Sequence, residues 1–412
     1  MEEEEKSVLT GKKGHCRRGN GEGFTIKRGD TWYGQFSITQ NHKLIRKGFT
    51  ANTKLELLEK GREWMKCVVQ SSLPLTPGQT TFGQFICYWL TQHKKLSVKP
   101  KTYQKYVTTF SSYLLPVWDE KNLSKISSVD VQDLINEYSS GKRIGSKGRI
   151  LSSSTVRCIR RYLSEAFRYA VQMNLLIKNP VELTKAPLLE TKEIHVLSIE
   201  ELHRLLQAMK SQAMDHLGDP HEMLYYSSFM AVQLAASTGM RLGEVFGLCW
   251  DCVDLEDGSI SVRRSIQTGG KLNVFQTTKT KHSRRLIRIS ADLVAELKMY
   301  RTFQENYAAR LGGHWHNVRN ALITGLFGNI LSTSNFKARY FLPVLSKLGI
   351  HDFSFHDLRH THATLLLAKG VNPKIVQERL GHSTITLTLD TYSHLVPDIQ
   401  KAAVRALDGL GI

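Results

Sequence analysis

The chain has 412 residues, of which 41% are hydrophobic and 23% are charged; this composition is typical of a soluble globular protein with two or three domains. A formal net charge of +19 and a pI near 9.6 favour a nucleic-acid partner over an acidic protein partner or a simple effect on solubility. No apolar run is long enough to span a bilayer and no secretory signal opens the chain, which excludes the membrane-spanning class and predicts a cytoplasmic protein.

The chain starts with residues 1–20, an acidic MEEEEK followed by a basic, glycine-rich stretch, which predict a flexible tail. Residues 21–70 contain three β-rich runs separated by turn residues and followed by a helical pattern, which predict a small three-stranded α+β domain. This predicted domain could lie in a DNA groove, or it could be a generic module with a solvated charged face. Its candidate DNA-binding residues are Lys27, Arg28, Lys43, Arg46 and Lys47.

Residues 71–80 are linker-like, and residues 81–180 show helical patterns. Two apolar stripes at helical spacing, one starting at Tyr103 and one at Val156, predict the core of a helical domain. The opposite side of the second helix is basic, which indicates either a solvated face or contacts with DNA phosphates. The candidate DNA-binding residues on this side are Arg157, Arg160 and Arg161.

A second linker, residues 181–195, leads to a domain of residues 196–395 in which helical patterns outnumber short strands such as SISVRRSIQ and RRLIRIS. Residues 396–412 form a C-terminal tail with an amphipathic helical pattern. The predicted fold class is therefore multidomain and mainly α, with a small three-stranded α+β N-terminal domain. A helical domain and a mixed α/β, mainly helical, C-terminal domain follow it.

Cysteine spacing does not indicate a metal site. Of the six cysteines, only Cys249 and Cys252 form a CxxC, in LCWDC, and a zinc ribbon needs a second such pair. We therefore expect both to be packed core thiols in a reducing compartment.

Residues 351–366, HDFSFHDLRHTHATLL, hold four histidines and could form either a zinc site or a phosphate site. His356 and His360 are four residues apart, but Asp357 stands where the zinc-protease motif HExxH has glutamate. Arg359 lies one helical turn from His356, and its fixed charge disfavours a cation. A guanidinium beside an imidazole combines a bidentate donor with a proton carrier, so the segment favours phosphate. We expect no metal and no cofactor.

Other polar residues accompany this segment, each of them weak evidence alone. Arg241 lies at a helix junction in STGMRLGE, and Lys279 lies in a predicted strand turn in TTKTKHSRR. His382 follows a predicted helix stop, and Tyr392 comes ten residues later. A lone tyrosine is usually a packing residue and a lone histidine usually a hydrogen-bonding one. Their occurrence together, in this order, favours a catalytic set.

These motifs resemble those of the tyrosine recombinases, the integrases of phages and conjugative transposons. TGMRLGE resembles their first arginine box, TTKTKHSRRLIRI their catalytic-lysine hairpin, and HDLRHTHATLLLAKGVNPKIVQERLGHSTITLTLDTY their second box. Residues 81–180 are similar to their core-binding domain, and residues 21–70 to their arm-type DNA-binding domain. One departure is LIRIS, where many relatives have proline after the strand.

The resemblance implies a site-specific DNA recombinase that integrates and excises a mobile element of a bacterial chromosome through a 3′-phosphotyrosyl intermediate. It implies the following catalytic residues and roles: Tyr392 as nucleophile, Arg241 and Arg359 as the clamp on the scissile phosphate, His356 and His382 in hydrogen bonding and proton handling, and Lys279, with Lys281 as the alternative, as general acid. The implied partner is double-stranded DNA, with core-type and arm-type sites, bound by a homotetramer. Whether the tail docks on its own domain or a neighbour, and whether an excision factor or host DNA-bending protein takes part, stays open.

The proposed chemistry fits these residue types independently of the resemblance. Two arginines and a lysine meet the charge that develops on a phosphodiester under attack. A phosphotyrosyl ester conserves the bond energy, so resealing needs neither metal nor ATP. Two alternatives share these features: a type IB topoisomerase-like enzyme, and an inactive DNA-binding regulator on the same scaffold. The complete set of six catalytic positions argues against the inactive regulator.

Overall fold

The computed structural model describes residues 24–40, 43–70, 75–143, 148, 150–189, 194–267, 274–277 and 284–392. The chain divides into two compact units, Met1–Thr191 and Lys192–Ile412. The division falls inside the predicted linker of residues 181–195, and the other domain boundaries stay predictions. Within the described ranges, no helix has the length and apolar character required to cross a membrane.

The first unit opens with a three-stranded antiparallel sheet. Its strands are β1 (Phe24–Arg28), β2 (Thr31–Gln40) and β3 (Lys43–Ala51), and helix α1 (Lys54–Gln70) packs against them. The strands match the three predicted runs, and Gly29 makes the first turn with a φ of 57°.

The apolar pattern of α1 predicts that Leu55, Leu58, Trp64 and Met65 are available for the sheet face, and the last three do pack against the core of this domain. Leu55, expected to face the sheet, is 66% exposed, whereas Leu57 is fully buried against Phe36. Four residues after Leu57, a Cβ at Gly61 would lie 2.3 Å from the Phe36 ring. The face of α1 that approaches the sheet therefore starts at Leu57, and glycine at position 61 permits the close approach.

A helical bundle completes the first unit. Its helices are α2 (Phe82–Tyr88), α3 (Lys95–Ser97), α4 (Pro100–Thr109), α5 (Leu115–Trp118), α6 (Ser128–Ser139) and α7 (Ser153–Gln172), and π-helical segments Trp89–Lys94 and Phe110–Leu114 follow α2 and α4. Capping boxes at Thr81 and Ser127 start α2 and α6, because each side chain accepts a bond from an otherwise unpaired backbone N–H. Both predicted apolar stripes lie in its core, except for Met173 at the end of the second stripe, which is 39% exposed.

The second unit is mixed but mainly helical. Its helices are α8 (Ile199–Asp215), α9 (Glu222–Thr238), α10 (Leu242–Val245), α11 (Ala291–Leu311), α12 (Thr333–Phe336), α13 (Leu342–Lys347), α14 (Asp357–Ala368), α15 (Pro373–Leu380) and α16 (Ile385–Tyr392). Its strands are β4 (Val253–Asp254), β5 (Ser259–Val262), β6 (Arg264–Gln267), β7 (Val274–Thr277) and β8 (Arg285–Arg288); β4, β5 and β8 form one sheet, and β6 pairs with β7. Helix α9 is apolar on nearly all sides and lies buried in the core.

Helix ends in this unit follow the expected chemistry. Helices α9 and α15 stop at Gly239 and Gly381, whose φ angles of 67° and 68° lie in the left-handed region. Asn372 caps α15 with Pro373 in its first turn. The sequence predicts Ser354 as an N-cap, but α14 begins at Asp357. Ser354 instead starts the preceding turn, in which the Asp357 carboxylate accepts a hydrogen bond from the Ser354 backbone N–H at 2.7 Å.

The CxxC cysteines are core residues. Cys249 is fully buried and Cys252 is 5% exposed, and burial raises the pKa of both thiols. Both therefore stay protonated near neutral pH, as expected of packed thiols.

Candidate active site

Arg359 lies almost completely buried between the ends of two helices. Its side chain, 2% exposed, donates from Nη1 to the carbonyl of Gly239 at 2.9 Å and from Nη2 to the carbonyl of Leu380 at 2.7 Å. Both carbonyls lie at helix C-termini, where the partial charge is negative and favours a cation. Arg359 therefore joins the end of α9 to the end of α15.

Arg241, two residues after Gly239, points towards the same helix end but reaches the surface. Its side chain is 39% exposed, and its Nη2 lies 3.4 Å from the carbonyl of Gly381. Its Nη1 donates to Glu244 Oε1 at 2.9 Å, and its backbone N–H donates to Glu244 Oε2 at 3.0 Å. The two candidate phosphate-binding arginines thus contact the carbonyls of consecutive residues at the end of α15.

Glu244 is a buried carboxylate shared by two arginines. It is 4% exposed, and the 6% exposed side chain of Arg285, on β8, donates to its Oε2 at 2.9 Å. Burial raises the pKa of Glu244, but the charges of Arg285 and Arg241 outweigh burial and lower it. Arg285 also donates from Nε to the carbonyl of Arg379 at 2.6 Å. The ionised carboxylate therefore fixes Arg241 and ties β8 to helices α10 and α15.

Two candidate histidines lie in the field of these arginines. His382 is buried, and its Nδ1 lies 2.9 Å from the hydroxyl of Thr388. Burial, followed by the charges of Arg359 and Arg241, lowers its pKa to about 3. His356 precedes α14 and is exposed, yet the surrounding protein removes enough water from its ring that its pKa falls to about 4, with contributions from His360 and Arg359. Both imidazoles are therefore neutral at pH 7.

A third histidine, His362, was not identified as a site residue from the sequence. Its Nε2 accepts a hydrogen bond from Arg379 Nε at 3.0 Å, so its Nδ1 carries the proton and donates to the carbonyl of Ala236 at 2.8 Å. Arg379 also donates to the carbonyls of Arg288 and Ser237, at 2.8 and 3.0 Å. His362 and Arg379 therefore stabilise the site indirectly, because they hold α15 against α9 and β8.

These buried neutral histidines predict acid sensitivity. Burial lowers the pKa of His362 to about 4 and that of His382 to about 3, whereas an unfolded histidine titrates near pH 6.5. The unfolded chain therefore binds protons more readily. The stabilising contribution is fully present above about pH 6.5 and is lost as the pH falls towards 4, by at most about 1.4 kcal/mol per pH unit for each histidine.

Urea unfolding measured from pH 7 to pH 4.5 checks this prediction. We expect the unfolding free energy of the wild type to decrease with falling pH. We expect His362→Gln to start lower, since Arg379 loses its ring partner, and to show a shallower decrease. Replacing the exposed His203 on α8 is the matched control. Equal slopes for the wild type and His362→Gln contradict a depressed pKa at His362.

The remaining catalytic candidates are only partly described. Tyr392 is the last residue of α16, and its side chain lies outside the described part of the chain. Position 392 is four residues after Thr388, which contacts His382, so both positions lie on one face of α16. Lys279 and Lys281, between β7 and β8 in the sequence, and the tail of residues 396–412 lie outside the described residues.

The predicted DNA-contact residues of the first unit differ in their surroundings. Lys27, Arg46 and Lys47 are exposed on the sheet, whereas the side chains of Arg28 and Lys43 lie outside the described part. On α7, the Arg160 guanidinium donates to the carbonyls of Thr184 and Val181 and to the Thr184 hydroxyl.

The other two predicted DNA-contact arginines of α7 also have protein partners. Arg157 donates to the carbonyl of Pro187 at 2.8 Å, and Arg161 lies 5.2 Å from the centre of the Tyr162 ring. Arg157 and Arg160 therefore fasten the following segment to α7, and DNA contact by these residues stays a prediction.

The arrangement as a whole suits an anion. Four arginines lie around the ends of α9 and α15: Arg241, Arg285, Arg359 and Arg379. The Glu244 carboxylate pairs with two of them, Arg241 and Arg285. In the described ranges, no group of three or more histidine, cysteine, aspartate or glutamate side chains is placed to hold a metal ion. The exposed edge of the Arg241 guanidinium offers a positive charge and N–H donors. A phosphate group has the negative charge and the acceptor oxygens to bind there.

Comparison with known proteins assigns the chain to a family. The profile described as "Phage integrase family" matches residues 195–398, and the profile of a phage integrase N-terminal SAM-like domain matches residues 81–139. A tyrosine recombinase XerC-like protein of Caldanaerobacter subterraneus subsp. tengcongensis is 31% identical over 412 residues, which cover 94% of this chain and 98% of the relative. The chain belongs to the phage integrase family of tyrosine recombinases.

Further relatives of this phage integrase family member agree in sequence and fold. The ICEBs1 integrase of Bacillus subtilis is 26% identical over 368 residues, covering 89% of this chain and 93% of the relative. The Tn1549 transposon integrase, solved with circular intermediate DNA, has a TM-score of 0.62 at 20% identity, covering 79% of this chain and 99% of the other. The predicted family, fold class and enzyme class, a tyrosine site-specific recombinase, are confirmed.

Proposed function

We propose that this integrase cleaves duplex DNA with Tyr392 while Arg241 and Arg359 hold the scissile phosphate. One observation carries the proposal: two guanidiniums are fixed at consecutive carbonyls, those of Leu380 and Gly381, directly before His382. Preorganised donors stabilise charge at the moment when it develops, without a cost for rearrangement during the reaction. The site is therefore specialised for an anion that becomes more highly charged, as a phosphodiester does during substitution.

Bonds and protons balance in the proposed step. The Tyr392 phenol loses its proton and its oxygen attacks the phosphorus atom, forming a 3′-phosphotyrosyl bond as the bond from phosphorus to the 5′ oxygen breaks. Lys279, with Lys281 as the alternative, gives a proton to the leaving 5′ oxygen. Rejoining reverses the step, with the 5′ hydroxyl of another strand as nucleophile and the phenol as leaving group. No external energy source enters the cycle.

Arg241 and Arg359 take different parts in phosphate binding. Arg241 is part-exposed and can meet a DNA backbone from the surface. Arg359 is buried and holds the helix ends that shape the pocket, adding its charge at short range in surroundings of low dielectric constant. Binding a phosphate offsets the mutual repulsion of this arginine cluster.

His356 and His382 serve as neutral hydrogen-bonding groups. With pKa values lowered to about 4 and about 3, both can donate to a phosphate oxygen without adding a full charge, and either can accept the phenolic proton. A neutral histidine gains basicity as a phosphate dianion-like transition state forms beside it, because the negative charge favours the imidazolium.

The proposed partners are core-type DNA for residues 81–395 and arm-type DNA for residues 21–70, with the exposed Lys27, Arg46 and Lys47 on the sheet as contacts. A homotetramer on two synapsed sites is proposed from the lambda integrase tetramer, which was solved on a Holliday junction and has a TM-score of 0.52 at 19% identity.

A covalent trap tests the proposed function. We would incubate the full-length protein, in excess EDTA, with nicked duplexes that tile the DNA on both sides of its own gene. A nick a few nucleotides beyond the cleavage position makes the released fragment, which carries the 5′ hydroxyl, short enough to diffuse away. Without that hydroxyl, the covalent intermediate cannot be rejoined. The expected result is an SDS-resistant protein–DNA band on a small subset of duplexes. Proteolysis and mass spectrometry then place the nucleotide adduct on Tyr392.

Two outcomes contradict the proposal. Specific DNA binding without any band across the tiled set favours a DNA-binding regulator that does not cut. A band that forms only when EDTA is omitted requires a metal ion in the chemistry. A duplex of the same composition but shuffled sequence is the control for unspecific crosslinking.

A further inference from the structure

A groove at the edge of the β4–β5–β8 sheet carries four arginines. Its volume is about 380 Å³, and its lining comprises Ser261, Val262, Arg263, Arg264, Arg284 and Arg285. It lies at the end of the sheet where β5 stops at Val262 and β8 starts at Arg285. None of the residues proposed above to take part in the chemistry lines it.

Two of the four arginines are already neutralised. Arg264 forms a two-pronged ion pair with Asp251, with contacts of 2.9 and 2.7 Å. Arg285 is paired with the buried Glu244. These ion pairs fix the position of both guanidiniums, and the paired carboxylates cancel most of the positive potential that either would present to a ligand.

Arg263 and Arg284 are the other two arginines of the groove. The β5–β8 ladder ends at the pair of Val262 and Arg285, and Arg263 and Arg284 are the next residues beyond that end. Both are exposed, and neither guanidinium has a hydrogen bond or ion pair to another residue in the described part of the chain. Hydrogen bonds from Arg264 and, more weakly, the charge of Arg263 lower the pKa of Asp251, whose two oxygens are both bound by Arg264. Two like charges that line one groove repel each other.

We propose that Arg263 and Arg284 together bind one non-scissile phosphate of the DNA backbone. A phosphate bound between the two guanidiniums offsets their repulsion and can accept hydrogen bonds from both. The proposal rests on the proposed function, since it takes duplex DNA as the ligand. Because β8 also carries Arg285, which is bound to Glu244, a phosphate at this groove docks the DNA on the strand that supports Arg241. The contact is with the backbone and is therefore independent of base sequence.

Salt dependence of DNA binding tests the inference. The affinity of the full-length protein for the duplex found by covalent trapping, and for a shuffled duplex, is measured by fluorescence anisotropy across a KCl series. Loss of one phosphate contact lowers the slope of log affinity against log salt by about 0.9. We expect this loss for the double variant Arg263→Gln/Arg284→Gln on both duplexes. We expect Arg263→Lys/Arg284→Lys to keep most of the slope. Arg204→Gln, which removes an exposed arginine from α8, is the matched control and should keep the wild-type slope.

Adduct formation separates this inference from the proposed function. At low salt and saturating protein, the glutamine double variant should still form the adduct, because neither arginine belongs to the proposed catalytic set. An unchanged slope and affinity, with a normal wild-type adduct, overturns the phosphate site and leaves the proposed function intact. Absence of the wild-type adduct overturns the proposed function instead. The lysine double variant controls for misfolding, because it keeps both positive charges. If both double variants lose the same slope and also have lowered thermal stability, the contact does not depend on charge and the inference is contradicted.

Discussion

Replacing Tyr392 with phenylalanine is expected to abolish the SDS-resistant adduct and all strand exchange. Phenylalanine keeps the ring but lacks the oxygen that forms the bond to phosphorus, so no covalent intermediate can accumulate. DNA affinity should stay close to the wild-type value, because the arginines that bind phosphate are unchanged. The measurement is adduct yield on the nicked duplex, with the dissociation constant determined on the same duplex without a nick.

The matched control for this change is Tyr225→Phe. Tyr225, on α9, is half-buried and stacks on His216 with ring centres 3.7 Å apart, a contact that phenylalanine preserves. This variant should form adduct normally. An adduct formed by Tyr392→Phe protein assigns the nucleophile to another residue, and a large loss of affinity in that variant makes the tyrosine a structural residue.

Replacing Arg241 with lysine is expected to slow cleavage by about 10²- to 10³-fold, as loss of one preorganised donor does in other enzymes. The guanidinium of Arg241 bonds Glu244 and approaches the Gly381 carbonyl while its exposed edge faces solvent. A lysine ammonium is a single point charge and cannot satisfy Glu244 while presenting a two-pronged donor to a phosphate. Affinity should fall much less than rate, because one positive charge remains.

Single-turnover cleavage at saturating protein measures this effect, so that weaker binding does not lower the observed rate. Arg301→Lys is the matched control, because Arg301 on α11 also pairs with a nearby glutamate, Glu305, at 3.1 Å. It should cleave at the wild-type rate. A rate for Arg241→Lys that is indistinguishable from this control removes Arg241 from the active site.

Local signals in the sequence were sufficient for the parts of the fold that short segments control. Gly239 and Gly381 end helices because a left-handed residue terminates the hydrogen-bond pattern, and Asn372 with Pro373 starts one. The order of arginine, histidine and tyrosine motifs led to the correct family. On α1, the pattern correctly predicts Leu58, Trp64 and Met65 on the sheet face but wrongly includes Leu55, because leucines alone permit two neighbouring faces and packing of Leu57 and Gly61 on Phe36 selects one.

The supporting half of the site depends on contacts between distant segments, which a pattern in one segment does not reveal. Glu244 comes three residues after Arg241 in TGMRLGE, and this spacing is sufficient to predict its pairing with that arginine. Its second partner, Arg285, is 41 residues further on. The roles of Arg379 and His362 depend on backbone carbonyls of α9 and β8. Arg160 is a similar case: the sequence pattern places it on a basic helix face, whereas its guanidinium donates to the carbonyls of Val181 and Thr184.

The long-range contacts of the two site arginines also affect the protein while the ribosome is still making it. Arg359 bonds the carbonyl of Gly239, 120 residues earlier, and Arg241 reaches Gly381, 140 residues later. Domains form as units, and contacts between distant segments require both segments to be present. A nascent chain that ends before α15 therefore already has the N-terminal sheet and the helical bundle but lacks the carbonyls that both arginines bind. The pocket of the integrase can assemble only after α15 has been synthesised.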